Sequence, residues 1–280
     1  MDWFYETLHP ELRAGIRVDE EIYDGKTAFQ SVRVFRNERL GRVLVLDDVV
    51  QTTEADEFFY HEMLTHPTML AHGNVRRVLI IGGGDGGCME EVLKHDVDKV
   101  ILAELDPEVI ELSKQYLPSI CGNAFDDPRA EVMIGDGARF VAETDQRFDL
   151  IIVDSTDPIG PGEVLFQAPF YRGCHRALAD GGVIITQNGV TFVQPEEVTG
   201  TYRAFREIFD HYGFYMACVP MYAGGAMAFG WGGKGRDLPA TDRATIERAY
   251  AARDLETRYY NPDVHAAAFA LPNYVRDLMI

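Results

Sequence analysis

The sequence predicts an α/β protein in which a small N-terminal β-domain precedes a doubly wound, mostly parallel sheet. Before residue 56 apolar and polar residues alternate, the period of half-buried strands. After residue 74 short apolar runs alternate with helical segments, the rhythm of a parallel sheet covered on both faces. The expected boundaries are 1–55 for the β-domain and 56–280 for the larger α/β domain.

In the first domain SVRVFRNERLGRVLVLDD alternates around an Asn37–Glu38 turn and reads as a hairpin. Residues 54–72 change to helical spacing, with Phe58, Met63, Leu64, Met69 and Leu70 as candidate core positions. VRRVLIIGGG then reads as a buried strand ending in glycines. Helix GCMEEVLKH, strand KVILAELD, helix PEVIELSKQYL, strand RAEVMIGD, helix GARFVAET and strand FDLIIVDS follow. After a long loop come helix PFYRGCHRAL, strand GGVIITQNG and helix PEEVTGTYRAFREIF. The apolar strands HYGFYMACVP and GAMAFGWGG close the pattern, with Phe229 and Trp231 expected in the core.

The chain has 280 residues, 46% hydrophobic and 25% charged, ample for a sizeable core. No apolar run approaches the roughly 18 residues needed to span a bilayer, and the N-terminus lacks the basic start and apolar middle of a secretory signal. The four cysteines form no Cys-x-x-Cys pair, so free thiols in a reducing cytoplasm are expected rather than disulfides or a zinc site. A net charge of −19 speaks against nucleic-acid and anionic-membrane partners and favours cations. His66, His72, His95, His175 and His211 show no ligand spacing and read as surface or capping groups.

Ligands of open α/β sheets bind beyond the carboxyl ends of the strands. Four such ends carry acids: Asp85 after the first strand of the larger domain, Glu104 with Asp106 after the second, Asp136 after the third, and Asp154 with Asp157 after the fourth. Acids sharing one edge suit hydroxyls, amines and positive charge. The loop GGGDGG, with Gly82 and Gly84, opens a helix and lets a ligand approach its N-terminal NH groups. Glu104 follows Gly82 by 22 residues, where a carboxylate can accept ribose hydroxyls. Asp136 and Gly137 read equally as a helix cap or as a contact to an adenine amino group.

Asp85 sits where a phosphate or carboxylate would approach in related loops. Two negative charges about 4 Å apart repel by ~4 kcal/mol at an effective dielectric near 20, so the ligand there lacks an anion or carries a cation. The segment DSTDPIGPGEVLF (154–166) mixes two carboxylates with Pro158, Pro161, Gly160 and Gly162 and reads as a lid.

VLIIGGGDGG, AELD, DSTDPIGPGE and YYNPDVHAAAFALP, with VVQTTEADEFFYHEM and MYAGG, together resemble the spermidine synthase family of polyamine aminopropyltransferases, close to its proteobacterial form. The resemblance runs over nearly the whole chain. It implies a Rossmann-like, methyltransferase-type catalytic domain whose sheet is closed by a final strand pair. It implies transfer of an aminopropyl group from decarboxylated S-adenosylmethionine to putrescine, giving spermidine and methylthioadenosine, with no metal or redox cofactor. Asp154 then matches the base that takes a proton from the attacking amine. Asp85 and Asp157 match the acids that hold the ammonium groups, and Tyr60, His61, Tyr222 and Gln51 match residues around the diamine. Gln30, Glu104, Asp136, Gly137 and Pro161 match positions around the nucleoside. A homodimer or homotetramer is implied. One departure is Glu90-Glu91-Val92, where the family has Arg in place of Glu90, so different local ion pairs are expected.

Three alternatives remain at this point. They are a methyltransferase using the carboxylated donor, a catalytically silent polyamine-binding protein, and an aminopropyltransferase with cadaverine, agmatine or spermidine as acceptor.

Overall fold

The structure, a computed structural model, describes residues 2–280 and, at Pro161, the backbone alone. Strands β1 (Asp2–Tyr5) and β2 (Gly15–Val18) form a two-stranded antiparallel ribbon. Strands β3 (Glu20–Lys26), β4 (Ser31–Asn37), β5 (Gly41–Leu46) and β6 (Val49–Thr53) form an antiparallel sheet in sequence order. The β4–β5 hairpin pairs Asn37 with Gly41, so the expected turn is present. Val32, Val34, Leu44 and Leu46 on one face of this sheet pack against Val109, Leu117 and Ile120 of the larger domain. Phe35, Val43 and Val45 pack against Phe4 and Ile16 on the other face.

Helix α1 (Glu57–His72) follows. Then come β7 (Arg77–Gly82), α2 (Gly87–Leu93), β8 (Lys99–Glu104), α3 (Pro107–Tyr116), α4 (Pro118–Cys121), β9 (Ala130–Ile134), α5 (Gly137–Glu143) and β10 (Phe148–Asp154). The second half is α6 (Ala168–Ala177), β11 (Leu178–Val190), α7 (Pro195–Ile208), β12 (His211–Cys218) and β13 (Ala226–Gly233). Helices α8 (Arg243–Arg253), α9 (Pro262–Ala268) and α10 (Asn273–Arg276) end the chain. The sheet order is β12-β13-β11-β10-β7-β8-β9, with β7 to β11 mutually parallel and β12 and β13 joined antiparallel. The strand order reverses between β7 and β10, which makes their carboxyl ends the topological switch point. Phe229 and Trp231 are buried, as expected.

Two apolar layers cover the sheet. Met63, Leu64, Leu70, Met89, Val92 and the C-terminal helices fill one face; Phe148, Phe170, Tyr171, Phe205 and Phe209 fill the other. Helix α1 is buried well beyond the five core positions its spacing suggests. It is buried on nearly every side, Glu62, Thr65, His66 and Thr68 included, because the sheet, α2 and the C-terminal helices close around it.

His66 and His95 are not surface groups. Both are buried, and their rings join through Nδ1 of His66 and Nε2 of His95 at 2.9 Å. Glu91 Oε2 lies 2.9 Å from His66 Nε2, an ion-pair contact rather than an aligned hydrogen bond. Glu91 also accepts from Lys94 at 2.8 Å, and Glu90 pairs with the same ammonium at 3.0 Å. His72 and His175 are half-buried and His211 is exposed. Among the described residues no helix is long and apolar enough to cross a membrane.

Candidate active site

At the switch point Asp154, the last residue of β10, pairs in register with Gly82, the last of β7. Gly83 N–H donates to the Asp154 carbonyl at 2.8 Å, so the glycine loop is tied to the neighbouring strand end. Gly82 has φ +82, and a Cβ there would overlap the Asp154 carbonyl oxygen. Only glycine allows both the turn and the approach. At Gly84 a Cβ would lie 2.9 Å from Glu104 Oε2, so the missing side chain leaves that carboxylate its place.

A cavity of about 240 Å³ opens over this edge. Gln30, Gln51, Tyr60, His61, Gly82, Gly84, Asp85, Glu104, Asp136, Gly137, Asp154, Asp157 and Tyr222 all line it. Every site residue expected from the sequence is thus brought together except Pro161, whose side chain lies outside the described residues. The 154–166 segment forms one wall through Ile159, Gly162, Val164 and Leu165, with 3-10 turns over Gly160–Phe166. The N-terminal sheet supplies the opposite wall through Leu44, Leu46 and Gln51.

Asp154 is the electrostatic centre. Tyr60 donates its hydroxyl to Oδ1 at 2.7 Å, while Oδ2 is buried with no partner. Burial and the nearby charge of Asp85 push its carboxyl up to about 6, against the Tyr60 hydrogen bond. Burial and Asp154 in turn hold the Tyr60 phenol well above its usual value, so it stays a donor. His61 lies between Glu57, 2.8 Å from its Nδ1, and Asp85, 3.4 Å from its Nε2. Burial alone would favour the neutral ring. The two carboxylates outweigh it and hold the imidazolium well above its usual range. Asp85, buried but facing that cation and accepting from Gly87 N–H at 2.9 Å, is held below its usual value.

One nitrogen of His61 and one oxygen each of Asp85 and Asp154 lie within 4.8 Å of one another, a spacing that could hold a metal ion. In the metal-free protein the His61 ring faces two carboxylates, which favour its protonated form.

Toward β8 the site changes character. Burial raises the Glu104 carboxyl to about 7, although Oε1 accepts from Asp106 N–H at 2.8 Å. Gln30 reaches this region by donating to Asp106 Oδ2 at 3.1 Å. Asp136 both lines the cavity and caps α5, accepting from Ala138 and Arg139 N–H. The two sequence readings of Asp136 are therefore compatible.

Beyond Asp154 a recess of about 50 Å³ continues past Gln51, Tyr60 and Tyr222. Tyr222 donates its hydroxyl to the Gln51 carbonyl at 2.7 Å, which fixes the wall between recess and cavity. Asp157 faces both spaces and accepts from Gln194; burial raises its carboxyl. Glu6, His9, Gln187 and Gln194 line the recess and were missed from the sequence. They come from two stretches, 6–9 and 187–194, that lie almost 180 residues apart, so no local spacing joins them. Glu57 was also missed, although its i,i+4 relation to His61 on one helix face was a readable signal.

A family profile described as the spermine/spermidine synthase domain matches residues 57–242, and one described as the spermidine synthase tetramerisation domain matches residues 2–54. A polyamine aminopropyltransferase of Ruegeria sp. is 54% identical over 277 residues, covering 99% of this chain and 98% of its own. Polyamine aminopropyltransferase 1 of Pseudomonas aeruginosa is 50% identical, covering 98% and 96%. A spermidine synthase solved in complex with the transition state analogue AdoDATO superposes with a TM-score of 0.95 at 39% identity, over 99% of this chain and 94% of its own. With profiles spanning both domains and relatives matched end to end, the chain belongs to the spermidine/spermine synthase family, the polyamine aminopropyltransferases.

Proposed function

We propose that the protein transfers the aminopropyl group of decarboxylated S-adenosylmethionine to putrescine, releasing spermidine and methylthioadenosine. The observation that carries this reading is the unpartnered Oδ2 of Asp154, a buried carboxylate oxygen where the larger cavity, lined by Glu104 and Asp136, approaches the recess lined by Asp157. A diamine is mostly dicationic at neutral pH, since alkyl amines resemble Lys with pKa near ~10. One end must lose a proton to become a nucleophile while the other stays charged.

Asp154 takes that proton, and Tyr60 holds the receiving carboxylate in place. The freed nitrogen lone pair attacks the carbon attached to the sulfonium. The carbon–sulfur bond breaks, its electron pair goes to sulfur, and neutral methylthioadenosine leaves. Asp85, braced by His61, holds the ammonium of the transferred group, and Asp157 holds the far ammonium of the diamine. Glu104 takes the ribose hydroxyls, and Gln30, Asp136 and Gly137 border the nucleoside. Holding both partners in line supplies much of the acceleration.

We place residues 1–55 as the assembly unit of a cytoplasmic homodimer or homotetramer, with residues 56–280 as the catalytic domain. Exposed Trp3 and Tyr5 on β1 and the N-terminal profile match support the assembly. The test of the reaction is an acceptor panel of putrescine, cadaverine, agmatine and spermidine with the decarboxylated donor, read by product mass. Putrescine should dominate. A stronger product from another acceptor, or binding of methylthioadenosine without turnover of any amine, would overturn the assignment.

A further inference from the structure

Behind Asp157, away from the cavity, the side chains form a closed chain. The Gln194 amide NH₂ donates both hydrogens to carboxylates, one to Asp157 Oδ1 and one to Glu197 Oε1 at 2.8 Å. Its carbonyl oxygen accepts from Val190 N–H at 2.8 Å, so the amide cannot flip without losing all three bonds. Gln194 and Glu197 lie at the start of α7, and Gly189 leaves them room, since a Cβ there would lie 2.8 Å from Gln194 Oε1 and 2.9 Å from Glu197 Cδ. Glu197 is 9% exposed, and its Oε2 is buried without a partner. Neither Gln194 nor Glu197 takes part in the transfer chemistry derived above.

We propose that Gln194 and Glu197 are positioning residues for the acceptor: they fix Asp157 at the far end of the recess, and so set the affinity for the diamine independently of donor binding. This rests on the aminopropyl-transfer reading. Holding two buried carboxyls against one neutral amide is costly unless a cation arrives. No cationic side chain is hydrogen-bonded or ion-paired to this chain among the described residues. The titratable groups facing Glu197 are Asp157 from the loop after β10, Glu196 on its own helix and Tyr171 on α6, and Glu6 and His9 stand beside Asp157. Burial, with the charge of Asp157, raises the Glu197 carboxyl to about 8. At pH 7 it is therefore mostly protonated, and an ammonium arriving at Asp157 favours its ionisation. Diamine binding then releases a proton from Glu197.

Two variants test this. In Gln194→Leu the acceptor KM should rise about tenfold, the loss expected for one charge-assisted hydrogen bond, with kcat lowered less than threefold and methylthioadenosine affinity unchanged. An unchanged acceptor KM, or equal losses in acceptor and methylthioadenosine binding, overturns the proposal. In Glu197→Gln, which keeps the shape and the acceptor oxygen, putrescine binding to the methylthioadenosine complex at pH 7 should release up to about one proton fewer than wild type. Calorimetry in buffers of different ionisation enthalpy reads this without turnover. Equal proton release overturns the proposal even if Gln194→Leu fails to fold. Failure of wild type to transfer an aminopropyl group would instead sink the functional reading, while the calorimetric comparison still decides the role of Glu197.

Discussion

Tyr60 and His61 on one side of α1 meet the strand ends, whereas on another side Glu62 bonds the C-terminal segment and the His66 ring packs on Tyr260. Both sides bury acids. Glu62, 1% exposed, accepts from the N–H groups of Arg258, Tyr259 and Tyr260 at 2.7, 2.9 and 2.7 Å. Glu91, facing His66 and Lys94, is held below its usual value despite burial. On the cavity side Asp154 keeps one oxygen without a partner, and burial raises its carboxyl and those of Glu104 and Asp157. Buried acids on the structural side face donors and cations that the chain itself supplies, three N–H groups at Glu62 and His66 with Lys94 at Glu91. Buried acids that border the cavity have raised carboxyls and, at Asp154, a free oxygen, so on the proposed reading a cation or hydroxyl from outside completes them.

The largest expected effect comes from removing the base. Asp154→Asn should lower kcat by roughly 10² or more while methylthioadenosine binds with unchanged affinity. Turnover near wild type would remove Asp154 from the mechanism. On the structural side the loss should be of stability instead. Glu62→Ala removes the acceptor of three N–H groups, that of Tyr260 buried, and should cost about 3 kcal/mol, read as a lower urea midpoint, and a midpoint within error of wild type would show that the clamp on residues 258–260 is dispensable.

A third prediction concerns the donor. If Asp85 faces the donor as proposed, it disfavours the carboxylate of ordinary S-adenosylmethionine, and its pairing with His61 offsets part of that charge. Asp85→Asn should narrow the preference for the decarboxylated donor by roughly tenfold, about 1.4 kcal/mol. Calorimetric titration of both donors against wild type and variant decides it, and an unchanged ratio would clear Asp85 of the selection.

The acids on the cavity side should also respond to pH. Glu104 has a folded value raised above its unfolded one, so its favourable contribution is full below the unfolded value, about 4.5, and is lost as pH rises through about 7. Glu104→Gln should therefore melt higher than wild type at pH 8, by ~3 °C, with the gap closing at pH 4.5. No gap at pH 8 would mean that Glu104 is not strained in the free protein. For activity, kcat/KM should fall as pH drops through about 6, where Asp154 becomes protonated. Tyr60→Phe removes a hydrogen bond that favours the carboxylate and should move that acid limb upward. A limb that stays in place would detach Tyr60 from the tuning of Asp154.

Much of this protein was written locally. The alternation in residues 31–48, the glycine-ended run at 75–84 and the acids at four strand ends depend on backbone period, turn chemistry and nearest neighbours, so they could be read along the chain. The resemblance carried by GGGDGG and DSTDPIGPGE gathered the cavity residues before any coordinates did. What the sequence did not determine is how each buried charge is balanced. His66 and His95, 29 positions apart, meet only because α1 packs on α2. Gln194 reaches Asp157 across 37 positions, and Glu62 meets backbone N–H groups nearly 200 residues away. Hydrogen bonds act over about 3 Å, and desolvation depends on what surrounds a group on all sides. Whether a buried acid meets donors from its own chain or faces the cavity was therefore decided by the tertiary structure alone.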